Sequence, residues 1–135
     1  MRKTLKIGFW FVAISVVAAS ATGIYATSTG TSGGTELRPD DKALLVQGAG
    51  VYAENCASCH GADLKGEKDW RKGNPDGTLK APPHDETGHT WHHTDELLFR
   101  VTKYGTAKGV GLEDFKSNMP AFEGILSDQE IVAAL

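Results

Sequence analysis

Hydrophobic and polar positions divide the chain into segments of different character. Residues 2–6 carry three positive charges, Arg2, Lys3 and Lys6, and residues 7–26, from Ile7-Gly8-Phe9-Trp10 to Ala26, contain no charged side chain. A basic start followed by an uncharged apolar run is the layout of an export signal. Thr27 to Thr35 consists only of threonine, serine and glycine, the composition of a flexible linker. From Pro39-Asp40-Asp41 an apolar stripe through Leu44, Leu45, Val51 and Tyr52 predicts a helix that reaches Cys56. Between Gly61 and His93 neither the helical nor the strand period persists, and glycine, proline and charge dominate, so this stretch reads as one long loop. A loop of that length needs something to wrap around. Thr94, followed by Asp95 and Glu96, is the N-cap signal of a second helix whose apolar face is Leu97, Leu98 and Val101 and which ends at Gly105. Ser127 and Glu130 form the capping-box pair of a last helix through Ile131, Val132 and Leu135. The sequence stops inside that helix with no C-cap signal, so the helix is expected to be incomplete.

The pattern gives an all-α domain over residues 38–135, a linker over 27–37, and a signal peptide or uncleaved membrane anchor over 1–26. Ala19-Ser20-Ala21 suits signal peptidase, while the 20 uncharged residues from 7 to 26 also suffice to span a bilayer, so processed and tethered forms both stand. The positive-inside rule puts the domain outside the cytoplasm in either form, soluble in the periplasm or anchored to the outer face of the cytoplasmic membrane. With 135 residues, 16 glycines and 8% aromatics, the apolar material for a core is thin, and a large buried cofactor would complete it.

Charge narrows the partners. The formal net charge is −3, and removing the three positive charges of the first six residues leaves −6, because no acidic residue precedes Glu36. An acidic exported domain argues against nucleic acid and anionic lipid and suits redox partner proteins with a basic patch.

Cys56-Ala57-Ser58-Cys59-His60 matches the attachment motif of c-type haem: two thiols add to the porphyrin vinyl groups and the adjacent histidine ligates the iron. Two intervening residues let both sulfurs reach neighbouring vinyls on one edge of a flat ring. A thioredoxin-like dithiol needs a strand before the motif and a helix after it, the reverse of the pattern here. A structural zinc site needs four ligands in pairs and no second cysteine pair is present, and a Cys56–Cys59 disulfide would close too tight a loop to gain much.

A second axial ligand is sought in the exported part, which holds one methionine, Met119, within Ser117-Asn118-Met119-Pro120. A thioether is a soft ligand that raises the reduction potential relative to two histidines, and Pro120 would hold the loop extended. Four of the five histidines, His84, His89, His92 and His93, fall within ten residues. They can edge a haem pocket, meet its propionates, or bind copper or zinc. Trp70 and Trp91 in the same loop are read as covering the porphyrin.

With the attachment motif at the end of helix one and a methionine-proline loop before the last helix, residues 41–135 resemble a bacterial class I, mono-haem cytochrome c. The resemblance implies a small all-α fold wrapped around one covalent haem c, histidine on one face and methionine on the other. It implies that a proline carbonyl accepts a hydrogen bond from the ligand histidine, for which Pro82 is the candidate and Pro83 its neighbour. It also matches Gly48 and Tyr52 to small and aromatic positions of helix one that pack on the C-terminal helix, whose own aromatic partner is missing here. The expected activity is non-catalytic single-electron transfer between redox partners. The alternatives are a redox subunit docked to one dehydrogenase or oxidase, and a haem enzyme or sensor with an opened distal site.

Overall fold

The computed structural model of the chain describes residues 34–112 and 114–135. The expected signal or anchor over 1–26 and most of the expected linker lie outside the described residues. Among the described residues five α-helices follow in order: α1 (Lys42–Asn55), α2 (Ala57–His60), α3 (Asp95–Tyr104), α4 (Thr106–Val110) and α5 (Asp128–Ala134). Two short 3₁₀ turns, Trp70–Lys72 and Thr90–His92, interrupt the long loop between α2 and α3. Among the described residues no strand forms, and Leu79–Ser117 and Glu123–Leu126 are isolated bridges. The fold is all-α.

Local chemistry starts each principal helix where the sequence places it. Asp41 accepts the N–H of Leu44 at 3.1 Å and caps α1, and Thr94 Oγ1 accepts the N–H of Leu97 at 3.3 Å and caps α3. Ser127 and Glu130 close the full capping box of α5: the serine hydroxyl accepts the Glu130 N–H, and the Glu130 carboxylate accepts the Ser127 N–H at 2.7 Å. Each cap satisfies backbone donors that have no partner inside the helix. α4 follows α3 after one residue, Gly105, and packs back on it.

α5 packs on α1 and α3, and the core is built where the three meet. Leu44, Phe99, Ile131, Val132 and Ala133 are buried together, with Leu37 and Leu126 packed against them. Leu37, expected within the linker over 27–37, belongs to the fold instead, and its N–H donates to Asp95 at 3.0 Å. Gly48 fixes the α1–α5 approach: a Cβ built on it would lie 2.5 Å from the carbonyl carbon of Ala133 and closer still to its oxygen. α1 departs from the one-sided stripe expected of it. Leu44 and Gly48 are buried, whereas Leu45 and Val46 are 49% and 77% exposed, because α5 and the short α2 cover only part of its surface.

Candidate haem site

α1 ends at Asn55, and Cys56 forms the joint between α1 and α2. The Cys56 N–H still donates to Tyr52 at 2.9 Å, and its carbonyl accepts the His60 N–H at 3.0 Å. The turn thus continues through the motif, and residues three apart on such a turn share a face, which places Cys56 beside Cys59. Both are free thiols, Cys56 half-buried and Cys59 exposed. Burial pushes the Cys56 thiol pKa up, which keeps it protonated at neutral pH.

His60, in contrast, is buried. Its Nδ1 lies 2.9 Å from the carbonyl oxygen of Pro82. A carbonyl only accepts, so Nδ1 carries a proton, and Nε2 is the nitrogen left to face a metal. His84 stacks on the His60 ring with centroids 4.0 Å apart. Burial, with the neighbouring His60 and His89, lowers the His84 pKa to about 4, so this second imidazole is neutral at pH 7. The Tyr52 ring meets His84 edge-on at 5.9 Å, and its hydroxyl donates to the Gly61 carbonyl at 3.0 Å. Tyr52, which the resemblance matches to a packing position on α1, is thereby also a support of the site.

The loop is folded back so that Pro82 can reach His60. The Glu67 N–H donates to Ala81 at 2.9 Å, and the Glu67 carboxylate accepts the Ala81 N–H at 2.6 Å. Gly66 permits this approach: at φ +64°, its missing Cβ would stand 2.6 Å from the Ala81 oxygen and 2.7 Å from the Pro83 nitrogen. Both the positive φ and the contact exclude a larger residue.

Met119 lies in a separate cleft of about 280 Å³ that includes Tyr104, Thr106, Phe115, Ser117 and Ala121 and is not lined by Cys56, Cys59 or His60. Ser117 Oγ accepts the Met119 N–H at 3.1 Å and receives the Thr106 hydroxyl at 3.1 Å. One stretch of backbone connects the two regions. Leu79 donates its N–H to Lys116 at 3.2 Å, and Asn118 Nδ2 donates to the Thr78 hydroxyl at 3.2 Å. Three residues beyond Leu79, Pro82 binds His60.

This residue set fits a covalently attached haem. Two unpaired thiols share a helical turn, and the adjacent imidazole is fixed in the ligating tautomer. Leu64, Leu79, Trp91, Val110 and Leu112, which fall between the motif and Met119 in the chain, are 38–72% exposed. So many exposed large apolar side chains in a small domain suit a flat apolar ligand that would cover some of them. His89, His92 and His93 gather around the 3₁₀ turn at Thr90–His92, with Trp70 stacked on His89 at 5.2 Å. Helix α4 beside Met119 is absent from the sequence reading because Thr106-Ala107-Lys108-Gly109-Val110 has no apolar stripe, and the glycine argues against a helix.

Comparison with known proteins agrees with this chemistry. A family model described as cytochrome c oxidase, cbb3-type, subunit III matches residues 43–135. The cbb3-type cytochrome c oxidase subunit FixP of Sinorhizobium medicae and that of Rhizobium meliloti are each 55% identical to this chain over 31 residues, 23% of this chain and 11% of each relative. The matched stretch thus spans about a tenth of the length of those relatives. No solved structure matches. As the family model covers most of the chain and the fold is all-helical, the protein belongs to the cbb3-type subunit III family of c-type cytochromes, which transfer electrons through haem.

Proposed function

We propose that the chain is a mono-haem electron carrier working outside the cytoplasmic membrane, with Cys56 and Cys59 bonded to one haem c, His60 as the proximal iron ligand and Met119 as the distal one. The observation that carries this reading is the hydrogen bond from His60 Nδ1 to the Pro82 carbonyl, which sets the tautomer of a histidine directly behind two free thiols. When bound, haem supplies an iron centre that takes up and releases one electron. The protein's part is to hold and shield. Pro82 orients His60 and strengthens its donation, Ser117 and Thr106 position the backbone at Met119, and the thioether favours the reduced state. With His60 and Met119 both given to the iron, no place would be left for a substrate on the metal, and the protein would transfer electrons without catalysis. Donor and acceptor are proteins that tolerate an acidic partner, and nucleic acid is not among them.

A second reading, a redox subunit resident in an oxidase, is favoured by the family description and by the names of the FixP relatives. Residues 7–26 would tether it to the membrane. No helix among the described residues is long and apolar enough to cross a membrane. Fractionation separates the two: haem-stained protein in the soluble periplasm supports a shuttle, and haem-stained protein in the membrane supports a tethered subunit.

The function itself is tested by the visible spectrum of the purified protein. Covalent haem with the weak far-red charge-transfer band of thioether-ligated ferric iron is expected. Covalent haem without it would reject Met119, and no covalent haem would reject the whole reading. Cys56→Ser with Cys59→Ser is expected to abolish attachment and leave a largely unfolded chain, because so small a core depends on its cofactor; a folded helical apoprotein by circular dichroism would contradict this.

A further inference from the structure

We propose that Thr78 is a positioning residue for Met119: its hydroxyl holds the adjacent Asn118 from outside the methionine's own loop, and so sets how firmly the thioether is presented to the iron. This inference rests on Met119 being the distal ligand. The local sequence comes first. Asn74-Pro75-Asp76-Gly77 has the proline, aspartate and glycine of a tight turn. The turn is closed by the Gly77 N–H, which donates to Asn74 at 3.0 Å, and by the Asn74 N–H, which donates to Thr78 at 2.8 Å. Pro75 fixes its own φ, and Gly77 takes a φ of +84°, which glycine adopts without strain. Thr78 is therefore carried on a turn with little freedom of its own.

The Thr78 hydroxyl is a three-way junction. It donates to Asp76 Oδ1 at 2.7 Å, and the Thr78 N–H donates to the same oxygen at 2.9 Å. These bonds hold the Asp76 carboxyl below its usual pKa of 3.8, so at pH 7 it is ionised and only accepts. The hydroxyl proton is thereby committed to Asp76. Both lone pairs then meet donors, the side-chain amide of Asn74 at 3.0 Å and that of Asn118 at 3.2 Å. One donor and two acceptor sites are all that a threonine hydroxyl has, and Thr78 uses every one. A hydroxyl polarised by a carboxylate is also the better acceptor. Of the three partners only Asn118 is remote in the chain, 40 residues away, and it directly precedes Met119. Asn118 is exposed, so packing contributes little to its placement and the Thr78 bond ties it to the turn. Ser117 steadies the Met119 N–H, and Pro120 stiffens the chain on the other side.

The test uses the haem-loaded protein with Thr78→Val, which keeps the side-chain shape and removes the hydroxyl, and Thr78→Ser, which restores it. The far-red ferric band, the reduction potential and the affinity of the ferric protein for added imidazole are measured. Thr78→Val is expected to weaken the band, lower the potential and bind imidazole about fivefold more tightly, the equivalent of about one net hydrogen bond, while Thr78→Ser stays near wild type. Asn118→Ala is expected to match Thr78→Val, and the double variant to add little to either, as for two groups that act through one contact. Since Asn118 is exposed, Asn118→Ala keeps the fold and decides the matter if Thr78→Val does not. A lower urea midpoint in both single variants with band, potential and imidazole affinity unchanged overturns the proposal, because the hydroxyl then only steadies the turn. A Thr78→Ser variant that behaves like Thr78→Val overturns it too. Absence of the far-red band in the wild-type protein overturns Met119 ligation first, and this proposal with it.

Discussion

Adding one methyl group at Gly48, against the same change at Gly50, tests how α1 meets α5. Both glycines lie inside α1, and replacing either by alanine removes the same conformational penalty, about 1 kcal/mol in the interior of a helix. Their surroundings differ completely. At Gly50 a Cβ meets nothing within 4 Å, while at Gly48 it stands 2.5 Å from the Ala133 carbonyl carbon, against the roughly 3.5–4.0 Å at which carbon atoms rest together. The obstacle is backbone, so no rotamer change relieves it, and α5 must shift by about 1 Å. That shift disturbs Ile131, Val132 and Ala133, the densest part of the core. Overpacking of this kind costs typically 1–3 kcal/mol. After the helix gain, Gly48→Ala is expected to lose about 1 kcal/mol net, while Gly50→Ala gains about 0.5–1 kcal/mol. The helix gain is common to both, so the two variants differ by the overpacking term alone, about 2 kcal/mol, which a urea slope of about 1–3 kcal/mol/M turns into a midpoint separation of about 1 M. Urea denaturation of the haem-loaded protein, followed by far-UV circular dichroism, measures this directly. Equal shifts, or a Gly48→Ala variant as stable as wild type, would refute the close crossing.

Three further outcomes follow from particular contacts. Ile131→Ala, at a fully buried position, is expected to destabilise by about 2–5 kcal/mol in the same assay; a loss below about 1 kcal/mol would place Ile131 outside the core. Ser127→Ala breaks the α5 capping box and should cost about 1 kcal/mol. Hydrogen bonds from the Ser127 hydroxyl and N–H hold the Glu130 carboxyl below its usual pKa of 4.5. Its contribution is thus complete above pH 4.5 and is lost as the pH falls through the lower, folded-state value; Ser127→Ala should flatten this acid limb of the stability profile, and an unchanged limb would remove Glu130 from the cap. Met119→Ala should keep haem attached, lower the reduction potential and open the iron to added ligands such as imidazole; an unchanged potential would clear Met119 of ligation.

The features legible in the sequence are those decided within a few residues. The caps at Thr94 and Ser127 and the spacing of Cys56, Cys59 and His60 are local chemistry, and the structure carries the predicted helices from those caps. What depended on tertiary packing was not legible. α4 is held by α3 and shows no periodicity of its own, and the exposure of Leu45 and Val46 follows from which helices happen to cover α1. Pro82 occupies a middle position. Every residue has a carbonyl, so nothing in its side chain marks it for His60, and it was reached only through resemblance to a family. The turn that brings it there is enforced by Gly66 and Glu67, neither of which stands out in the sequence.

The backbone from Thr78 to Pro82 works as a tie rod. One end is fastened to the 116–118 segment beside Met119, and the other holds the His60 ring. Supports that lock a site from more than one direction keep its geometry precise. With His60 and Met119 as the ligands, both are braced by one short length of chain, and a displacement at either end is transmitted along it. Iron held this way would keep nearly the same surroundings in both oxidation states, the mechanical condition for passing an electron without waiting for the protein to rearrange.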